Sequence, residues 1–256
     1  KNCLSCKRNQ NCELQALTQE LGVRENKYEG AYTPRTFDDV APGIVRDTSK
    51  CVLCGRCVDT CKKVQGIGVL GFENRGFKTV VGPAFNASFA DVNCMQCGQC
   101  VINCPVGALT EKEAIHDVVN ALNDPTKFVV VQTAPAVRAS LGEEFGMPIG
   151  TRTTGKMAAA LRRIGFDRVY DTNFGADLTI MEEGTEFIQR FTTGGTLPML
   201  TSCSPGWVRY MEYEYPDLIP HVSSCKSPHM MLGALLKNLY PKTKGIDPKD
   251  MFVVSI

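Results

Sequence analysis

This sequence lacks any marked excess of positive over negative charge, or the reverse. Its 28 basic and 27 acidic residues are well mixed and leave a net charge of +1, so there is no electrostatic basis for nucleic acid or a membrane surface as the main partner. A long apolar run is missing too, which excludes a membrane-spanning helix. Nothing at the start reads as a signal peptide, and the cytoplasm is the expected compartment. Histidine is scarce: His116, His221 and His229 are the three, and they read as structural or surface residues. The one tryptophan, Trp207, reads as core packing. Cysteine is what abounds, with thirteen in 256 residues. An odd count fits poorly with a pure disulfide framework, and thiolate ligands favour a reducing setting.

The length suits one large domain or two smaller ones with their own cores. Three regions separate. Residues 1–45 hold Cys3, Cys6 and Cys12, a helix-like stretch over Glu13–Leu21 and a loop with Pro34 and Pro42. Residues 46–112 hold two similar cysteine clusters. Residues 113–256 alternate apolar runs with amphipathic stretches, which reads as α/β with a mainly parallel sheet. Strands are expected over Lys127–Thr133, Arg168–Thr172, Leu197–Cys203 and the last six residues, with helices over Gly155–Phe166, Ala176–Phe191, Pro205–Tyr215 and Met230–Tyr240. Ligands gather beyond the carboxyl ends of the strands in such sheets. The stretch TSCSPGW, Thr201–Trp207, is expected at such a strand-to-helix turn. Both ends look cut, since the chain opens almost on a cysteine motif and closes on an apolar run.

Cys51, Cys54, Cys57 and Cys61 form C-x2-C-x2-C-x3-C; Cys94, Cys97, Cys100 and Cys104 repeat it, and Pro105 follows. This is the two-cluster ferredoxin spacing. Three thiolates two residues apart wrap one face of a cubane, and the fourth points away toward the other cluster. Cys51, Cys54, Cys57 and Cys104 are therefore assigned to one [4Fe–4S] cluster, and Cys94, Cys97, Cys100 and Cys61 to the second. Zinc or disulfides are the alternative, but two zinc knuckles would not need the offset fourth cysteine twice. Cys3, Cys6 and Cys12 form C-x2-C-x5-C, one ligand short of a closed site. The fourth ligand lies upstream or is borrowed from elsewhere, or the three are unrelated surface thiols.

In this arrangement the chain resembles the catalytic subunit of the iron-only hydrogenases, of the multi-cluster type found in NAD(P)-linked and electron-bifurcating complexes. Besides the cysteine clusters, the resemblance rests on Thr133-APAVR, Asp177-LTIMEEGTEF and Thr201-SCSPGW. It implies a ferredoxin-like α+β domain with two [4Fe–4S] clusters, followed by the N-terminal part of an α/β hydrogenase catalytic domain. It further implies that Cys3, Cys6 and Cys12 hold a third [4Fe–4S] cluster with a histidine lying before residue 1. The family's pattern is Thr-Ser-Cys-Cys-Pro, in which the first cysteine hands protons to the two-iron centre and the second ligates its cubane. Mapped in order, Cys203 is the proton-transfer thiol and Ser204 takes the ligand position, where an oxygen is a harder, poorer ligand than a thiolate. Two further signature motifs of the family do not occur in this sequence, so this chain is expected to be incomplete for catalysis alone.

Glu183, Glu186 and Arg190 share one helix face, which by itself reads as a solvated, charge-paired surface. The resemblance makes them, with Ser223 and Cys203, a proton route, and it places Pro135 and Ala136 near the diatomic ligands of the two-iron centre. Carboxylates in that role are expected to have raised pKa values. Cys225 reads as a buried thiol. The implied reaction is reversible reduction of protons to H2. The implied partners are redox subunits of a flavin- and iron–sulfur-containing NAD(P)-linked complex, or ferredoxin. Two alternatives stand beside it: an electron-transfer subunit with an incomplete or inactive centre, and a hydrogenase-like sensory or assembly protein.

Overall fold

The structure, a computed structural model, describes residues 3–256. Lys1 and Asn2, where the sequence suggested an interrupted start, lie outside the described residues. The chain packs as two compact units, one ending at Glu113 and the other starting at Ala114.

In the first unit, helix α1 (Glu13–Glu20) follows the Cys3–Cys12 loop, and β1 (Phe37–Asp38), β2 (Ile44–Asp47) and β5 (Leu109–Glu111) form an antiparallel sheet in the order β1-β2-β5. Strands β3 (Gly71–Glu73) and β4 (Val80–Gly82) pair antiparallel beside it. The two short helices α2 (Arg56–Asp59) and α3 (Gln99–Ile102) each start after a left-handed glycine, Gly55 at φ 77° and Gly98 at φ 74°. Only glycine enters that region freely. A π-turn over Thr60–Val64 carries Cys61, while the second repeat stops at Cys104 because Pro105 cannot extend a helix. The core joins Ala41, Ile44, Leu70, Val81, Phe89, Val106, Ala108 and Leu109 to four buried cysteines, Cys57, Cys94, Cys100 and Cys104. Thiols thus occupy positions that aliphatic side chains would fill in an ordinary core.

In the second unit, α4 (Ile115–Asn123) leads into β6 (Phe128–Thr133), the central strand of a parallel sheet with β7 (Arg168–Asp171) and β8 (Met251–Ser255) at its edges. The valine run of β6 is buried on both faces, as a doubly covered parallel strand requires. Val129 and Val131 meet Ala121 of α4 with Met157 and Leu161 of α6 (Thr154–Ile164), whose chain follows the short α5 (Val137–Ser140). Val130 faces the other way, onto Leu232 and Leu236 of α9 (Pro228–Asn238), which runs on into α10 (Tyr240–Lys244). The long α7 (Asn173–Thr193) packs on α9 at Gly175; a Cβ there would run into the Pro228 carbonyl oxygen and approach Leu232 Cβ at 3.0 Å. Helix α8 (Pro205–Glu214) opens with proline in its first turn.

One expected strand is absent. Leu197–Cys203 runs as an irregular segment outside the sheet, tied down by a single parallel bridge between Leu200 and Val222. Leu200 N–H donates to His221 O at 2.8 Å and Ser223 N–H to Leu200 O at 2.7 Å. Pro198 has no N–H, so the run cannot sustain a ladder. Cys203 therefore sits on a loop leading into α8 and not at the end of a sheet strand.

Candidate functional site

The two cysteine loops are built alike. In each, the residue before the second cysteine is left-handed, Leu53 at φ 57° and Gln96 at φ 54°, and so is the glycine after it. Alternation of this kind turns successive N–H groups inward, making a concavity for negative charge. Leu53 N–H already points at Cys51 Sγ, 3.3 Å away. Cys51, Cys54, Cys57 and Cys104 line one cavity together with Leu70, Val81, Val106 and Leu109.

The electrostatics follow the same grouping. Burial, then the neighbouring Cys104, Cys51 and Cys54, pushes the Cys57 thiol up to about 12. Burial, then Cys94, Cys57, Cys97 and Cys61, pushes Cys100 up to about 12. Each buried thiol feels the fourth cysteine of the opposite repeat, Cys104 for Cys57 and Cys61 for Cys100. Without cations between them such thiols stay neutral; iron ions would stabilise them as thiolates. Among the described residues no three His, Cys, Asp or Glu side chains gather tightly enough to hold a single ion. Cys51, Cys54, Cys57 and Cys104 surround a volume instead.

The donor set fits [4Fe–4S] clusters on a further observation. Arg46 borders the Cys51–Cys104 cavity, is 2% exposed, and has a buried Nε with no hydrogen-bond partner. A buried cation short of acceptors matches a cavity meant for an anionic group. Nothing in the sequence pattern had singled Arg46 out. Cys3, Cys6 and Cys12 line a separate cavity with Leu14, Lys50 and Gly107. Gly107 has to be glycine there, because a Cβ would stand 2.6 Å from Cys6 Sγ.

In the second unit, Glu186 and Arg190 of α7 meet Ser223. Ser223 is 5% exposed and donates from Oγ to Glu186 Oε2 at 2.9 Å. Arg190 donates to Glu186 Oε1 from Nη2 at 2.6 Å and Nε at 3.0 Å. The same guanidinium reaches Pro220 O at 3.1 Å and Val222 O at 2.8 Å, fastening the loop that carries Ser223. Ser224 adds its N–H at 3.1 Å and its hydroxyl at 3.2 Å to Oε2. The expectation of a raised carboxylate pKa is overturned for Glu186. Burial does push it up, but the donors from Ser223, Arg190 and Ser224 outweigh burial and hold it below the ordinary value.

The other expected residues stand apart from this cluster. Glu183 lies half-buried one turn earlier on α7, and Cys203 is exposed; neither hydrogen-bonds to the Glu186 group. Ser204 is the N-cap residue of α8 and its hydroxyl makes no capping bond. Pro135 and Ala136 are exposed just past the carboxyl end of β6. The thiol that does lie near Glu186 is Cys225, with Sγ 4.0 Å from Oε2 and its N–H on Ser223 Oγ at 3.1 Å. Ser202 Oγ donates to the Cys225 carbonyl at 2.6 Å, so the segment before Cys203 runs against this loop. Sequence reading took Cys225 for a buried thiol; its place directly after Ser223-Ser224 was the available signal.

Comparison with known proteins agrees with these two architectures. Residues 50–108 match the 4Fe-4S dicluster domain, and residues 1–27 match the iron-sulfur binding region of NADH-ubiquinone oxidoreductase-G. The NADP-reducing hydrogenase subunit HndD of Solidesulfovibrio fructosivorans is 51% identical over 262 residues, spanning 100% of this chain and 45% of that protein. Iron hydrogenase 1 of Clostridium pasteurianum is 45% identical, across 99% of this chain and 44% of its own length. A cytosolic Fe-S cluster assembly factor of Xenopus tropicalis is 33% identical over 64% of this chain and 37% of that one. The chain thus spans less than half the length of these relatives. An apo [FeFe]-hydrogenase from Chlamydomonas reinhardtii superposes with a TM-score of 0.54 at 51% identity, covering 56% of this chain and 37% of that structure. Residues 127–256, half the sequence, match the iron only hydrogenase large subunit, C-terminal domain, and the chain belongs to that family.

Proposed function

We propose that this chain is the electron-delivering and proton-delivering part of an iron-only hydrogenase that interconverts protons and H2. When bound, the cubanes carry single electrons and the two-iron centre of the complete protein supplies the chemistry that joins electrons to protons. Cys51, Cys54, Cys57 and Cys104 would hold one cubane, Cys94, Cys97, Cys100 and Cys61 a second, and Cys3, Cys6 and Cys12 three corners of a third. Electrons would enter from redox subunits of a flavin- and iron–sulfur-containing NAD(P)-linked complex, or from ferredoxin. Among the described residues no helix is long and apolar enough to cross a membrane, and a cytoplasmic setting is part of the same reading.

The observation that carries the reading is the Ser223–Glu186 bond at 2.9 Å. A proton route calls for a buried hydroxyl seated on a carboxylate, whereas electron transfer by itself does not. Ser223 donates to Glu186 and, beyond the lone pair taken by Cys225 N–H, keeps a second one on which a relayed proton could arrive. Glu186 is the ionised carboxylate on which these donors converge; Arg190 keeps it aimed and pins the Ser223 loop. Glu183, one turn earlier on α7, would extend the route, and the exposed Cys203 thiol would be the last carrier before the reacting centre. Pro135 and Ala136 would border that centre. A thiol at 203 and a hydroxyl at 204 do not make a cubane site, and the other ligands would come from elsewhere in the polypeptide. Ser204 favours a second reading, an electron-transfer subunit with an inactive centre.

Infrared spectroscopy of the anaerobically matured full-length protein separates the two. Bands from iron-bound CO and cyanide support the hydrogenase; a protein replete in cubanes with no such bands supports the second reading.

A further inference from the structure

The two cysteine loops match position for position, in spacing and in their left-handed residues. Five residues before the first cysteine of each loop, the match breaks. Arg46 stands there in the first repeat and Phe89 in the second. Both are buried, at 2% and 1% exposure, and they touch, with the guanidinium carbon 5.9 Å from the ring centre. A charge and a phenyl ring therefore occupy sequence-equivalent positions ahead of two otherwise alike cysteine loops, and the charge borders the cavity of the first cluster.

Burying an arginine is costly unless something of opposite charge shares the site. Arg46 is firmly held. Its Nη1 donates to Asn86 Oδ1 at 2.9 Å and its Nη2 to Ala87 O at 3.2 Å. Gly82 makes room for it, since a Cβ at that residue would collide with the guanidinium. Asp38, itself buried and bonded to Ser88 Oγ at 2.8 Å and Phe89 N–H at 3.0 Å, is the nearby carboxylate. These neighbours leave Nε unpartnered, and Arg46 borders the cavity of Cys51, Cys54, Cys57 and Cys104.

We propose that Arg46 is the internal counter-charge of the cluster held by Cys51, Cys54, Cys57 and Cys104, and that it makes this cluster easier to reduce than its twin. The inference rests on the cluster assignment above. A cubane on four thiolates is anionic and gains a further negative charge on reduction. A fixed cation in a low-dielectric interior stabilises the reduced form more than the oxidised one, raising the potential. The second repeat has the uncharged Phe89 at the sequence-equivalent position. Electrons arriving at the pair would settle first on the Arg46 side.

The test is an EPR-monitored redox titration of the full-length holoprotein, with iron and sulfide counted on every sample. Arg46→Met should lower the midpoint of one ferredoxin-type cluster and leave the other in place. Arg46→Lys, which keeps the charge, should stay near wild type. Asp38→Asn, which removes the opposing charge but keeps an acceptor for Ser88, should shift the same cluster upward; this variant decides the matter if Arg46→Met fails to fold. Unchanged midpoints in Arg46→Met with full iron content would overturn the proposal. So would an Arg46→Lys shift as large as that of Arg46→Met, or a downward shift in Asp38→Asn. A wild-type protein without two such clusters would instead remove the cluster assignment itself.

Discussion

Ser223 Oγ lies 2.9 Å from Glu186 Oε2, joining a helix residue to a loop residue thirty-seven positions later. If this bond is part of a proton route, breaking it slows turnover without touching the metal sites. In the full-length holoprotein, Ser223→Ala should lower H2 evolution by about tenfold or more, and Glu186→Gln by roughly 100-fold, the lower range for loss of a positioned acid–base group. Iron content should not change in either variant.

Glu186 also ties stability to pH. Its folded-state pKa lies below the ordinary 4.5, so the ionised form is favoured by folding. The associated stability is present above the unfolded value and lost as pH falls through the folded one. Thermal midpoints of wild type and Glu186→Gln should therefore differ most near neutrality and converge well below pH 4.5. A gap that widens in acid would show that the carboxylate is not stabilised by its donors.

How much of this was readable in advance depended on distance along the chain. The cysteine loops were legible because a cubane fixes its ligands by local spacing. The valine run of β6 and the amphipathic α6 were equally plain. The Leu197–Cys203 segment misled because its apolar residues look like a strand, while Pro198 withholds the N–H a ladder needs. The Glu186 pKa was misjudged for a related reason: helix spacing shows Arg190, but not the Ser223 hydroxyl and Ser224 N–H that arrive from another segment. Arg46 was invisible for the same cause, since one arginine in Ile44–Asp47 looks like the polar face of a short strand until β1 and β4 bury it.

The cross-pairing of the two repeats has a spectroscopic consequence. Cys104→Ser should remove the same cluster signal as Cys51→Ser, although Cys104 sits in the second repeat. Cys61→Ser should remove the signal lost in Cys94→Ser. Each loss is about four iron atoms per chain. Signals lost repeat by repeat would show that each motif closes its own site.

Packing at Gly175 is tight enough to test without any metal. A methyl there meets the Pro228 carbonyl oxygen and Leu232 Cβ at 3.0 Å. Gly175→Ala should destabilise the second unit by about 1–3 kcal/mol through overpacking between α7 and α9, visible as a lowered denaturation midpoint. Gly184→Ala, on the same helix with open space around it, should be neutral or slightly stabilising.

Cys203 offers the most direct measurement. In the matured full-length protein, Cys203→Ala should leave iron, sulfide and the infrared bands of the two-iron centre as in wild type while H2 evolution falls to near background. Hydrogen evolution close to the wild-type rate in that variant would contradict the claim that this thiol carries the proton.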